Sequence, residues 1–318
     1  MLPYLTSRCV CHVVTHARYN TQLHFLLSPF TLLGWIPFKI IWFVLSSTLL
    51  IIVFEDFKKR YNVNYKTLTF YLLPFLLGFP LTNTLGNGQF GIVVVFLVYF
   101  SWVFRKKSFI LSILLFVLFS KYSFGLPIIF GFLLMGYYKS IFISLLLIIF
   151  FPFVYSLIFD LNFLETIFLP LKVASTATAI GPSDIISLSR VLFSDTNVSL
   201  IFVSAFNLIF LSMISYHSIK KSISDIQILL CSIVFSFIGF FHLGYDWVVL
   251  ILILFFLKDS LLKKIFFGVM LFNFTLPRIL KVFDINTIFE IYSNPIFISI
   301  NIFLLSTLLF NIIYDKSK

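Results

Sequence analysis

Eleven apolar segments occupy most of this chain, and none shows the strict apolar-polar alternation of a strand with one wet face. They cover roughly residues 38–54, 67–81, 90–104, 108–120, 124–138, 141–159, 200–214, 226–241, 247–257, 265–276 and 296–313. In hydrocarbon every backbone N–H and C=O must be paired within the protein, which leaves helices or closed barrels, and barrel strands alternate. With 60% hydrophobic and 11% charged residues, the 318-residue chain also lacks the polar surface to coat a soluble globule. The expected fold class is all-α: a polytopic integral membrane protein of about eleven transmembrane or half-spanning helices.

Alternating the sides of these segments sorts the charges. Fifteen Lys and Arg gather on one face: Lys58, Lys59, Arg60, Lys66, Arg105, Lys106, Lys107, Lys139, Lys220, Lys221, Lys258, Lys263, Lys264, Lys316 and Lys318. The other eight, Arg8, Arg18, Lys39, Lys121, Lys172, Arg190, Arg278 and Lys281, fall opposite, together with Asp160, Glu165, Asp184, Asp195, Asp246, Asp284 and Glu290. The positive-inside rule makes the first face cytoplasmic and places the protein as a multi-pass component of a cell (inner) membrane. The net charge of +11 is then a topology signal. No nucleic-acid partner is expected, because no basic stripe interleaved with aromatics lies in a soluble segment.

Residues 1–28 read as an extracytoplasmic N-terminal segment, and 29–318 as one helical membrane domain carrying an outer loop at about 160–199. That loop is too short for a catalytic domain. It is long enough to lid a cavity, with an amphipathic piece such as 185–193, or to serve only as a connector. Some segments are short for a crossing: twelve residues cover about 18 Å of a hydrocarbon core roughly 30 Å thick. The run 108–138 is broken at Lys121-Tyr122-Ser123 and by Gly125 and Pro127. It reads either as a helix pair meeting at a cavity or as a tight hairpin with Lys121 snorkelling outward.

Two polar clusters interrupt the apolar pattern on the outer face, Gly86-Asn87-Gly88-Gln89 and His242-Leu243-Gly244-Tyr245-Asp246. Polar and ionisable groups at membrane depth are costly and mark sites. Asn87 and Gln89 read either as ligand contacts or as caps of the helix starting near Phe90. His242, Tyr245 and Asp246 read either as ligand contacts or as a hydrogen-bonded cluster joining helix ends. Tyr122 and Trp247 equally suit an interfacial aromatic belt.

Taken in order, these motifs resemble the polyprenyl-phosphate-sugar-dependent glycosyltransferases of family 87, which have the GT-C fold. The resemblance rests on Asn87-Gly88-Gln89, the basic turn Arg105-Lys106-Lys107, Lys121 followed by Pro127, and the late His242 to Asp246 stretch. Tyr19 to Pro37 is similar to the family's Tyr-Pro-Pro segment with its paired prolines replaced, and Gly181 to Phe193 to its outer-loop Asn-x-Ser-Leu element. The resemblance implies transfer of a sugar from a polyprenyl-phosphate-linked donor to a glycan or glycolipid acceptor, beside membrane lipid, on the extracytoplasmic side. It implies substrate contacts at Asn87, Gln89, Lys121, His242, Tyr245 and Asp246, with no cofactor and no metal.

The chain departs from the family where its catalytic base is expected. In this fold class a carboxylate in the first outer loop, after a first transmembrane helix, activates the acceptor. No Asp or Glu occurs here before Glu55, and no apolar span precedes Phe38. The expectation is a reading frame truncated or disrupted at its N-terminus and an enzyme inactive in this form, unless Asp246 or another outer acid takes the role. Losing a general base alone removes about 10²- to 10⁴-fold in rate.

Other chemistries are excluded or weak. Cys9-Val10-Cys11-His12 with His16 fits no zinc spacing, and no phosphate-cradling Walker loop, nucleophile elbow or His-Glu-x-x-His pair is present. The alternative class is a lipid-linked sugar transporter or flippase, with an O-antigen-polymerase-like protein as a neighbour. A transporter is expected to show repeat symmetry and polar groups reaching both faces, whereas the polar candidates here gather on one.

Overall fold

Each of the eleven apolar segments is mostly helical among the described residues, although Gly78 breaks the second and irregular residues end the fifth and eighth. The structure is a computed structural model that describes residues 35–86, 89–168, 183–257, 261–282 and 294–314. Among these residues 86% are helical and none is in a strand, so the chain is all-α. The helices are α1 (Trp35–Tyr61), α2 (Tyr65–Leu77), α3 (Phe79–Gly86), α4 (Gly91–Val103), α5 (Ser108–Leu118), α6 (Tyr122–Leu134) and α7 (Tyr138–Phe159). After them come α8 (Ile185–Leu192), α9 (Thr196–Ile219), α10 (Asp225–Gly239), a 3₁₀ segment (Gly244–Leu250) running into α11 (Ile251–Phe256), α12 (Leu261–Val282) and α13 (Pro295–Tyr314).

Four helices, α1, α7, α9 and α13, are long and apolar enough to cross a membrane unaided. A fifth crossing arises if α2 and α3, bent by 73° at their junction, form one broken span. Gly78 permits that bend, since a Cβ there would sit 2.3 Å from the Phe274 Cβ on α12 and 2.5 Å from the Pro74 carbonyl oxygen. By length and composition the described residues thus supply four or five helices of membrane-crossing length. The remaining apolar helices of 10–17 residues reach only part-way.

The 3₁₀ segment and α11 form the centre. Trp247 to Phe255 are all buried, so this piece is apolar on every side and enclosed by protein. α3 and α4 pack against its 3₁₀ half, α2, α4 and α10 against α11. Next to it α6 lies along α10, close enough that a Cβ on Gly131 would be 2.3 Å from Ser232 Oγ. The long helices have the opposite character. α9 buries only Phe210 and Ile214, while Leu200, Ile201, Leu208 and Ile209 are exposed. Such apolar faces suit lipid and would be costly in water.

Polar pairs also join helices whose surroundings are otherwise apolar. Asn273 Nδ2 on α12 donates to Asn301 Oδ1 on α13 at 2.8 Å, with both side chains buried. Gln227 Nε2 on α10 donates to the Ile312 carbonyl of α13 at 2.7 Å. Between lipid-facing helices the hydrophobic effect offers little drive, so such bonds and close packing carry the association.

Candidate functional site

Three of the short helices come in hairpins, and the turns of those hairpins meet. α5 joins α6 at 119–121 and α10 joins the 3₁₀ segment at 240–243, and Gln89 and Phe90 precede α4. Two of the joints at the other ends of these helices are basic, Arg105-Lys106-Lys107 between α4 and α5 and Lys220-Lys221 before α10. The apolar sequence builds the arms and leaves the polar residues at the turns.

Lys121 and Asp246 form an ion pair across two of these turns, 125 residues apart in sequence. Both side chains are buried, at 9% and 3% exposure, so each charge depends on the other for solvation. Asp246 lies near the start of the 3₁₀ segment, where its Oδ2 also accepts from the Leu243 backbone amide at 3.3 Å and lies 3.3 Å from His242 Nδ1. The far ring nitrogen of His242 is 3.0 Å from the Ser236 carbonyl, an acceptor only, which places a proton on Nε2. Phe124 and Phe237 hold the imidazole between them, with ring centroids at 4.3 and 4.7 Å. Lys121 Nζ also lies 5.5 Å from the Phe124 ring and 5.4 Å from the Tyr245 ring. Lys121 therefore points into the protein, and the reading in which it snorkels outward is incorrect.

The third turn abuts the same node. Thr84 Oγ1 is 3.0 Å from the Tyr245 carbonyl, and a Cβ on Gly91 would fall 2.8 Å from Val248 Cγ1. Gln89 is tied in through its backbone: its amide donates to the Thr84 carbonyl at 3.0 Å and its carbonyl accepts from Trp42 Nε1 at 3.4 Å. Phe90 takes the cap position of α4, and its side chain makes no cap hydrogen bond. Asn87 lies outside the described residues. Of the sequence candidates, Lys121, His242, Tyr245 and Asp246 come together, with Gln89 beside them. Gln89 and Tyr245 are half-buried, while His242 and Asp246 are enclosed.

One carboxylate was not among the candidates. Asp184 caps α8, its Oδ1 accepting from the Ser187 amide at 2.7 Å and its Oδ2 from the Ser187 hydroxyl at 2.9 Å. It is fully buried, faces the backbone amide of His242, and its neighbour Ser183 reaches the Phe237 carbonyl at 3.5 Å. Burial pushes its carboxyl up to about 7, against the opposing pull of the Ser187 donors. The N-terminus of α8 thus sits on the α10 turn. The outer loop contributes a seated helix here, and α9 starts already at Thr196. The signal was present as Asp184 followed by Ser187, a helix-start pattern ahead of an amphipathic stretch.

Two buried polar atoms flank the node without a hydrogen-bond partner among the described residues, Ser120 Oγ beside Lys121 and Trp247 Nε1 beside Asp246. The described residues contain no group of three or more His, Cys, Asp or Glu arranged to hold a metal ion. Residues 9–16, with their Cys and His, lie outside the described part.

In comparison with known proteins, no family model, no curated protein and no solved structure matches the chain.

Proposed function

We infer that this protein is a multi-pass membrane glycosyltransferase, moving a sugar from a polyprenyl-phosphate donor to a glycan or glycolipid acceptor at the extracytoplasmic face. The observation that carries the reading is the Lys121–Asp246 pair, a charged node built from separate hairpin turns within apolar surroundings. Such a node is expensive unless it serves a site. The motif resemblance to family 87 and the GT-C fold points the same way. On this reading all eleven segments pass through or into the bilayer.

Depth favours a lipid-linked donor. Helices α4, α5, α6 and α10 have 13, 11, 13 and 15 residues. At about 1.5 Å per residue they rise roughly 16–22 Å from their basic turns, so the node stops about 10 Å short of the far side of a 30 Å core. A sugar phosphate on a polyprenyl chain reaches that level with its chain still in lipid. Gln89 and Tyr245, half-buried at the rim, are assigned to the sugar and its phosphate, and Lys121 to phosphate charge. His242 and Asp246 position Lys121. Asp246 is fully engaged by Lys121, Leu243 and His242, which argues against its acting as the acceptor base.

The test is transfer in proteoliposomes supplied with an undecaprenyl-phosphate-linked hexose and a membrane glycolipid extract, reading released undecaprenyl phosphate by mass spectrometry. Gln89→Ala removes one sugar or phosphate hydrogen bond and is expected to slow release about tenfold. Movement of the intact donor between leaflets, with none consumed, would identify a transporter and overturn the assignment.

A further inference from the structure

Consecutive backbone amides in the turn after α10 serve two different carboxylates. The Leu243 amide donates to Asp246 Oδ2 at 3.3 Å, while the amide of His242 faces Asp184. One turn is thus held by the acid of the ion pair on one side and by the acid that starts α8 on the other. Ser183 Oγ adds a bond to the Phe237 carbonyl at 3.5 Å, and the Phe237 ring is one of the two that hold the His242 imidazole.

The seat of α8 is polar where most of the core is apolar. Ser183, Asp184, Ser187 and Ser189 are all buried there, beside Ile185 and Leu188. Hydrogen bonds in such a seat pass to water at little net cost, which a purely apolar contact does not allow. α8 is tied onward to α9 by the Ser189 and Ser199 hydroxyls at 2.7 Å, and α9 itself buries only Phe210 and Ile214. Lys121 is in the opposite situation. It is buried with Asp246 as its counter-ion, so a donor phosphate meets its charge only if the turn carrying Asp246 yields.

We propose that Asp184 is a positioning residue for the Lys121–Asp246 node. Seated, it clamps α8 to the His242 turn and so holds Asp246 against Lys121; unseated, it lets the turn relax and Lys121 exchange Asp246 for a phosphate. That last exchange rests on the sugar-transfer reading, and the clamp does not.

Charge on Asp184 works against the seat, because burial opposes its ionised form. Arg190 acts on it from its own helix, and from the α10 turn comes His242, whose ring lies on Asp246. Beyond that turn Asp246 and Lys121 are paired with each other. Asp195 caps its own helix, α9, through the Asn197 and Val198 amides, α10 has Asp225 at its far end, and α13 carries no charged side chain. A rise in pH through neutrality therefore loosens the clamp.

Hydrogen exchange read by mass spectrometry tests this on the purified full-length chain in detergent at pH 5 and pH 8, with rates corrected for the intrinsic effect of pH. Peptides covering 185–192 and 240–246 are expected to exchange together, about 10- to 80-fold faster at pH 8. The upper figure is the ratio for a carboxyl that falls from about 7 to 3.8 on release. Asp184→Asn, close in shape to the protonated carboxyl, should hold both peptides near their pH 5 rates, and α4 should show no such response. At pH 8 an amine-reactive ester should acylate Lys121, relative to exposed Lys220, about tenfold more slowly in Asp184→Asn than in the unmodified chain. A response in 185–192 that leaves 240–246 unchanged would overturn the proposal. So would one that survives in Asp184→Asn, one shared equally by α4, or equal acylation of Lys121 in the two proteins. Protection of Lys121 by added undecaprenyl phosphate supports the exchange of partners; its absence overturns that step and counts against sugar transfer, while hydrogen exchange, which needs no substrate, judges the clamp.

Discussion

Removing one charge of the Lys121–Asp246 pair strands the other, and the structure says which removal costs more. Loss of one partner from a buried pair typically costs about 3–5 kcal/mol. In Lys121→Met the Asp246 carboxylate keeps the Leu243 amide and the His242 ring beside it, so the cost falls near the lower end, about 3 kcal/mol. In Asp246→Leu the ammonium group of Lys121 loses its carboxylate and retains the faces of Phe124 and Tyr245 at 5.5 and 5.4 Å, which puts the cost near 5 kcal/mol. The double replacement removes both charges together. It should therefore be less destabilised than the sum of the two by at least about 2 kcal/mol. Cys231, fully buried on α10, is a reporter for this cycle once Cys9 and Cys11 are replaced by serine. Its reactivity toward a thiol reagent follows unfolding in a detergent-denaturant titration. Additive effects of the two substitutions would refute the pair as the tie between hairpins.

Three further outcomes follow from the same packing. The Asp184 carboxyl, raised by burial from 3.8 to about 7, binds more protons folded than unfolded, so stability should fall as pH rises from about 4 to about 7 and stay low above. Asp184→Asn keeps a capping side chain and should flatten that fall, of which as much as about 3 kcal/mol lies between pH 5 and pH 8, in unfolding titrations at those two values. Gly131→Ala should cost about 1–3 kcal/mol by pressing on Ser232 Oγ, whereas Gly268→Ala, with nothing within 4 Å, should gain up to about 1 kcal/mol. Asn273→Leu removes the bond to Asn301 Oδ1 and should loosen α13 from α12 by about 1 kcal/mol in the same unfolding assay.

The helices were legible because apolar runs are a local property of sequence. The run at 226–241 became α10, and the one at 247–257 became the 3₁₀ segment with α11. Whether a helix crosses is not local. α5 and α10 have the composition of spans and the length of half-spans, and only packing shows α10 enclosed by other helices while α5 leaves Phe109 and Ile113 exposed. The partners of polar groups were illegible for the same reason. Lys121 and Asp246 were each visible as misplaced charge, but their pairing depends on two hairpin turns reaching equal depth. Asp184 looked like an ordinary loop acid until α8 folded its start onto the His242 turn. Gln89 connects to the Tyr245 carbonyl through a backbone route by way of Thr84 that no motif spells out.

The central claim is that the Lys121–Asp246 node and Lys66 at the start of α2 lie toward opposite faces of the membrane, with chemistry at the first. Single cysteines replacing Gln89 or Lys66, in a background lacking Cys9 and Cys11, can be probed with a membrane-impermeant maleimide in sealed vesicles of known orientation. The account predicts labelling of the cysteine at position 66 only from the cytoplasmic side and of that at 89 only from the other. Labelling of both from the same side would contradict it.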